Sequence, residues 1–166
     1  MNTQMKRIFL VLTILFLANE VFAATCNELA LTFQQSNEGE FSDAEMYSSL
    51  DSCRGNPDAS ALLYHDLFWL VARGQGNFAS NQERWNDAIG LLILTAIRGD
   101  DDYLHSLANE FRSGDKIGDA VILPKDGVVA DCLKAISGTP KEERSRRVMQ
   151  CIPKDYLKLV SNALER

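Results

Sequence analysis

The sequence is short of basic residues, with 17 Lys and Arg against 23 Asp and Glu and a formal net charge of −6. A protein that binds nucleic acid needs clustered Lys and Arg, because neutralising phosphates releases their counterions. An anionic membrane surface makes the same demand. The composition therefore argues against nucleic acid and anionic membranes as partners, and it permits a basic protein partner.

Residues that bind metals or act as nucleophiles are also scarce. The chain has two histidines, His65 and His105, and no close-spaced cysteine pair of the C-x-x-C kind found in zinc sites. It has no Gly-x-Ser-x-Gly elbow and no Ser-x-x-Lys pairing at the start of a helix. The sequence therefore predicts no metal, no cofactor and no catalytic residue. A metal site built from both histidines with Asp66 or residues 100–102 is the weaker alternative.

Long apolar runs are absent except near the N-terminus, where two basic residues precede an apolar run over 8–17. Small residues follow just before Ala24, in the order typical of a cleaved secretory signal. The apolar run is too short to span a bilayer comfortably. The sequence therefore predicts a signal peptide over 1–23, with cleavage near Ala23. We expect residues 24–166 to form a single soluble domain, periplasmic or secreted, that does not insert into a membrane.

Four cysteines follow the leader, at Cys26, Cys53, Cys132 and Cys151. An even count in an exported chain indicates two disulfides, although four cysteines allow three connectivities. We expect Cys26–Cys53 and Cys132–Cys151, because each pair then joins neighbouring helices at one end of the chain. A zinc site and a nucleophilic thiol are the rival interpretations.

Helical signals cover the chain after residue 25. Ser42 with Glu45 and Ser80 with Glu83 have capping-box spacing. Apolar residues recur every three or four positions, and no stretch alternates convincingly with period two. The sequence predicts helices over 26–36, 43–52, 58–73, 82–98, 101–113, 127–137, 141–150 and 154–165.

The segment Val-Ala-Arg-Gly-Gln-Gly over 71–76 has two glycines two apart. Such glycines can open a loop to a phosphate, but a phosphate loop follows a strand and opens a helix at once. Here a helix precedes the glycines, and the next helix begins several residues later. We therefore expect Gly74 to end the first helix in a left-handed conformation and Gly76 to free the turn that follows.

A weak internal repeat appears when the chain is shifted by 40 residues. His65 then falls on His105, and Gly74 falls on Gly114. The segment 63–99 resembles a Sel-one-like repeat, a short relative of the tetratricopeptide repeat. The positions that match this family are Leu67, Gly74, Gly76, Ala88, Ala96 and Gly99, and those that depart from it are Phe68, Val71, Leu91 and Thr95.

This resemblance implies an all-α fold, a short α/α superhelical array of antiparallel helix pairs. Its units would cover about 63–99 and 103–139, with capping helices on either side. Proteins of this family generally act as adaptors and scaffolds, and small exported ones include immunity proteins against secreted antibacterial effectors. The resemblance therefore implies a non-catalytic module whose partner is another protein, such as a secreted effector or an envelope protein.

An enzyme is the alternative function. Cysteine-containing exported members of the family are associated with β-lactam binding or hydrolysis. Those members carry a cysteine pair within each repeat, whereas the cysteines of this chain lie toward its ends.

Stacked repeats place their first helices side by side, so the exposed positions of these helices form one surface. We expect His65, Trp69, His105, Asn109 and Arg112 to approach that surface, with Trp69 as the main anchor for a protein partner. A core position is the alternative for Trp69. Gly74, Gly76 and Gly114 are expected to have structural roles in turns.

Overall fold

The computed structural model describes residues 25–37, 39–117 and 120–166. The predicted signal peptide and its cleavage site lie outside these residues. Each of the eight segments expected to be helical forms a helix, so the all-α fold class is confirmed. The helices are α1 over 25–35, α2 Asp43–Asp51, α3 Ala61–Ala72, α4 Asn81–Arg98, α5 Asp101–Ser113, α6 Gly127–Lys134, α7 Lys141–Cys151 and α8 Lys154–Glu165.

Side chains cap α2 and α4 as their sequences indicate. The Ser42 hydroxyl accepts a hydrogen bond from the Glu45 amide, and the Glu45 carboxylate accepts one from the Ser42 amide. At α4, Ser80 accepts from the Glu83 amide, while the Glu83 carboxylate accepts from the Ala79 amide. These bonds satisfy amides that have no partner inside the helix.

The segment between α5 and α6 contains two short strands, which the sequence analysis did not predict. Strands β1 (Asp115–Ile117) and β2 (Ala120–Leu123) form an antiparallel pair between α5 and α6. Gly114 ends α5 with φ +73° and ψ +136°, and this conformation sends the chain into extended backbone. The strands are too short to show an alternating pattern, so the sequence analysis missed them.

Helix α4 lies at the centre of the fold and packs against α3, α5, α7 and α8. Every residue from Asp87 to Ala96 is buried. Gly90 allows the close approach of α8, because a Cβ at this position would lie 2.8 Å from the Ala163 Cβ. One core cluster contains buried side chains from every helix, from Cys26 in α1 to Ala163 in α8.

The pairs α3–α4 and α5–α6 pack as sequence neighbours, but their second helices have different environments. Ala88 and Leu92 of α4 are buried, whereas Val128 and Cys132, the positions 40 residues later in α6, are exposed. Helices α7 and α8 cover α4 on faces that the first pair alone would leave open. The repeat arrangement therefore stays a prediction.

Both expected disulfides are confirmed. Cys26–Cys53 joins α1 to the end of α2, and Cys132–Cys151 joins α6 to α7, with Cα–Cα distances of 5.8 and 5.6 Å. None of the four cysteines is a free thiol. Two structural disulfides indicate an oxidising, non-cytoplasmic environment.

The turn after α3 has the geometry expected for a helix stop. Gly74 has φ +102°, its amide donates to the Val71 carbonyl, and the Gln75 amide donates to the Leu70 carbonyl. These two bonds define a Schellman motif. Gly76 also has φ +102°, and a Cβ there would lie 2.8 Å from the Tyr47 hydroxyl. The length of the loop alone would suggest that Gly76 tolerates substitution better than Gly74. The close approach of Tyr47 indicates that it does not.

We expect Gly74→Val to lower the free energy of unfolding by about 1–2 kcal/mol, since a β-branched residue resists positive φ. Gly76→Val should lower it at least as much, because its side chain also collides with Tyr47 and Phe78. Urea denaturation followed by circular dichroism measures both effects. Gly127, which has ordinary φ and open space around it, provides the control as Gly127→Ala. A Gly76→Val variant as stable as wild type would contradict this account.

Candidate binding surface

Helix α3 has one face buried in the core and one face exposed to solvent. The face that packs into the core contains Leu63, Tyr64, Leu67, Leu70 and Val71. His65 and Trp69 lie on the other face. They are four residues apart, and side chains at this spacing on a helix are neighbours. Trp69 is 49% exposed, so the core alternative for this residue is wrong, whereas Trp85 is 7% exposed and belongs to the core.

The two predicted residues of α3 hold each other in place. The Trp69 indole Nε1 donates a hydrogen bond to His65 Nε2 over 3.1 Å. An imidazole nitrogen that accepts a hydrogen bond carries no proton, so this contact requires neutral His65 with its proton on Nδ1. That Nδ1 lies 3.5 Å from a carboxylate oxygen of Asp66. The Phe68 ring lies against Trp69, with centroids 5.0 Å apart.

Tyr103 of α5 joins this group, although the sequence analysis did not select it. Its ring lies 5.6 Å from the His65 ring, measured between centroids. Burial raises the pKa of Tyr103 above its usual range, and the negative charges of Asp100 and Asp66 raise it further. The phenol therefore stays neutral at physiological pH and can donate a hydrogen bond.

A groove of about 270 Å³ opens beside Trp69, between α1, α2 and α3. Trp69 and Leu70 form one wall, and Phe33 of α1 with Met46 and Leu50 of α2 forms the other. The polar residues at its edge are Gln34, Asp66 and Arg73. Arg73 makes an ion pair with Asp43 of α2 at 3.2 Å. The groove can therefore accept a large apolar side chain between polar edges.

The Cys26–Cys53 disulfide fixes one wall of this groove. It fastens α1, which contributes Phe33 and Gln34, to the end of α2. Asn27 adds two hydrogen bonds, donating to the Asp58 carbonyl and accepting from the Ser60 amide at the start of α3. The groove is thus formed before any partner binds, which lowers the entropy lost on association.

The three predicted residues of α5 lie on the side of that helix away from α3. His105, Asn109 and Arg112 are exposed, and Arg112 makes an ion pair with Asp131 of α6. Tyr103, two residues before His105, faces α3 instead, and positions two apart on a helix point about 200° apart. The structure therefore brings His65 and Trp69 together and separates them from the other three.

The residues missed by sequence reasoning are those contributed by other helices. Phe33 and Met46 fall on apolar faces of their own helices, and only the packing of α1 and α2 against α3 brings them to Trp69. Tyr103 matches no family position that the sequence singled out. The one sequence feature that could have indicated Tyr103 was an aromatic ring directly after the acidic residues that begin α5.

Among the described residues, no three His, Cys, Asp or Glu side chains lie close enough to hold a metal ion. His65 is bonded to Trp69 rather than to a hydroxyl or thiol nucleophile.

Within the same residues, no helix is long and apolar enough to cross a membrane. Comparison with protein-family models, with curated proteins and with solved structures finds no match to this chain. The surface itself is therefore the basis for assigning a function.

Proposed function

We propose that this chain is an exported, non-catalytic protein-binding module, an adaptor or an immunity-type inhibitor built on Sel-one-like repeats. It acts in the periplasm or outside the cell after removal of residues 1–23. The two disulfides support an oxidising compartment. The partner is another protein, bound at the groove beside Trp69.

The exposed Trp69 is the observation that carries this proposal. A large aromatic side chain that is half exposed, next to a preformed apolar groove with polar edges, has the features of an interface anchor. Interface energy concentrates in a few such residues, and tryptophan is enriched among them. The hydrogen bond to His65 fixes the indole, so that little rotamer entropy is lost on binding.

The partner can be captured through the groove itself. A photoreactive amino acid in place of Gln34, which lines the groove, should crosslink the bound protein in an envelope extract. The same probe in place of Val128, which is 82% exposed on α6, should not crosslink it. The captured protein is then purified for titration.

Trp69→Ala should weaken binding of that purified partner roughly 30-fold, which corresponds to about 2 kcal/mol. Calorimetric titration measures the dissociation constant, and far-ultraviolet circular dichroism checks that the helices remain. Val128→Ala removes a more exposed apolar side chain elsewhere and should leave the affinity unchanged. Equal affinity of wild type and a folded Trp69→Ala variant would contradict the proposal.

A further inference from the structure

A second groove lies on the opposite part of the fold, where α7 and α8 cover α4. It has a volume of about 560 Å³. Aliphatic side chains from all three helices line it, and Met149 of α7 is 43% exposed there. The other apolar lining residues are Leu94, Ile97, Val160 and Leu164. This groove shares no residue with the one beside Trp69.

Two cations stand at one end of the aliphatic groove. Arg98, at the end of α4, and Lys141, at the start of α7, line both this groove and a neighbouring polar cavity of about 540 Å³. Within the part of the chain that the structure describes, neither side chain makes an ion pair or a side-chain hydrogen bond. The two cations therefore mark the boundary between an apolar and a polar space.

The local backbone adds to the positive potential at this boundary. Lys141 is the first residue of α7, whose N-cap Pro140 provides no side-chain hydrogen bond. The positive end of the α7 dipole has the same sign as Lys141, whereas Glu142 and Glu143 in the first turn of α7 carry the opposite charge. An anion is the ligand group that the unpaired Arg98 and Lys141 side chains would bind.

Acidic residues also line the two spaces, and among the described residues none of them forms an ion pair with Arg98 or Lys141. Arg144 lines the polar cavity but is bound to Asp101 and to the carbonyls of Gly99 and Thr139. Asp100 accepts hydrogen bonds from the first amides of α5. Glu142 at the groove and Asp58 at the cavity are the remaining acidic residues among those that line the two spaces.

We propose that this groove binds a fatty acid anion, with the alkyl chain along α4, α7 and α8 and the carboxylate between Arg98 and Lys141. An acyl chain suits walls made of helices, because the backbone N–H and C=O groups of these helices are already hydrogen-bonded within each helix. Ser145 is the one uncharged polar side chain that lines the groove. An extended peptide would bury its own amides there without partners. The site is independent of the protein-binding groove.

Calorimetric titration of the purified, disulfide-bonded protein with dodecanoate below its micelle concentration tests the proposal. We expect saturable binding of one molecule per chain. Acetate has the same carboxylate without the chain, and dodecyltrimethylammonium has the same chain with the opposite charge. Both should bind at least about tenfold more weakly, since each lacks one of the two interactions.

Variants assign the binding to this groove. Arg98→Gln and Lys141→Gln should each weaken dodecanoate binding about fivefold, and Met149→Glu should abolish it. Lys158→Gln, a change at an exposed lysine of α8 outside the groove, should have no effect. Trp69→Ala should also leave it unchanged, which separates this site from the protein-binding groove.

The proposal would be overturned by no saturable binding of dodecanoate, by equal binding of the cationic amphiphile, or by unchanged affinity in the folded Arg98→Gln/Lys141→Gln double variant. Tighter binding of a short peptide with a C-terminal Leu-Leu would overturn it too, because the occupant would then be a protein terminus. Circular dichroism of each variant confirms that loss of binding does not reflect loss of the fold.

Discussion

Replacing Arg54 with Met should lower the free energy of unfolding by about 3–5 kcal/mol at pH 7, the range for removing one partner of a buried ion pair. The Arg54 side chain is 2% exposed and lies between α2, α4 and α8. Its Nη1 donates to Asp87 Oδ1 over 2.6 Å, and its Nε donates to Asp51 over 2.8 Å. Without the guanidinium, Asp87 is a buried carboxylate that has lost its hydrogen-bonded ion-pair partner.

The pH dependence of this variant follows from Asp87. Burial raises the pKa of Asp87 above its ordinary value, and the Arg54 charge offsets only part of that rise. In Arg54→Met the folded-state pKa of Asp87 rises further. The stability that a raised carboxyl pKa contributes is fully present below the unfolded-state pKa and is lost as pH rises through the folded-state pKa. The difference in stability between variant and wild type should therefore be smaller at pH 4 than at pH 7.

Urea denaturation at both pH values measures the effect. Arg73→Met is the matched control, because Arg73 pairs with Asp43 at the surface and an exposed pair contributes about 0–1 kcal/mol. The double variant Arg54→Met/Asp87→Leu should recover most of the lost stability, since it leaves no unpaired charge at Asp87. A loss below about 1 kcal/mol in Arg54→Met would show that water reaches the Arg54–Asp87 pair.

Removing the Cys26–Cys53 disulfide by changing both residues to Ala should lower the free energy of unfolding by about 3–4 kcal/mol. The bond closes a loop with a sequence separation of 27, and opening it increases the entropy of the unfolded chain. Both cysteines are buried, so the change also removes core volume. Since α1 provides Phe33 and Gln34 to the groove, we also expect weaker partner binding in this variant.

The second disulfide provides the comparison. Cys132–Cys151 has a similar sequence separation of 19, so its removal should have a similar effect on stability. Cys132 is exposed, whereas Cys26 and Cys53 are buried. Dithiothreitol under native conditions should therefore reduce Cys132–Cys151 first, as peptide mapping of alkylated cysteines would show. Earlier alkylation of Cys26 would contradict the burial of that bond.

The helices, their caps and both disulfides could be predicted because their signals are local. A capping box needs residues three apart, and a Schellman glycine needs only the end of its own helix. The cysteine pairing was predictable because each bond joins helices that are close in the sequence. The strands over 115–117 and 120–123 were missed because a run this short has no measurable period.

The candidate site was predicted in part, for a related reason. The helical spacing of α3 places His65 and Trp69 together on its exposed face, and this needs no knowledge of other helices. Tyr103, Phe33 and Met46 reach the same surface only through the packing of α5, α1 and α2. The separation of His105, Asn109 and Arg112 from Trp69 depends on how α5 is rotated against α3, which no single helix encodes.

The sequence by itself determined where the helices lie to within three residues, which cysteines pair, and that His65 and Trp69 share one face of α3. Only the tertiary structure decided that α7 and α8 cover α4, that Arg54 is buried against Asp87, and that two separate grooves result. Local structure follows from interactions between residues a few positions apart. The choice of neighbours for each helix depends on the apolar area and close approaches summed over the whole core, such as that of Gly90 to Ala163.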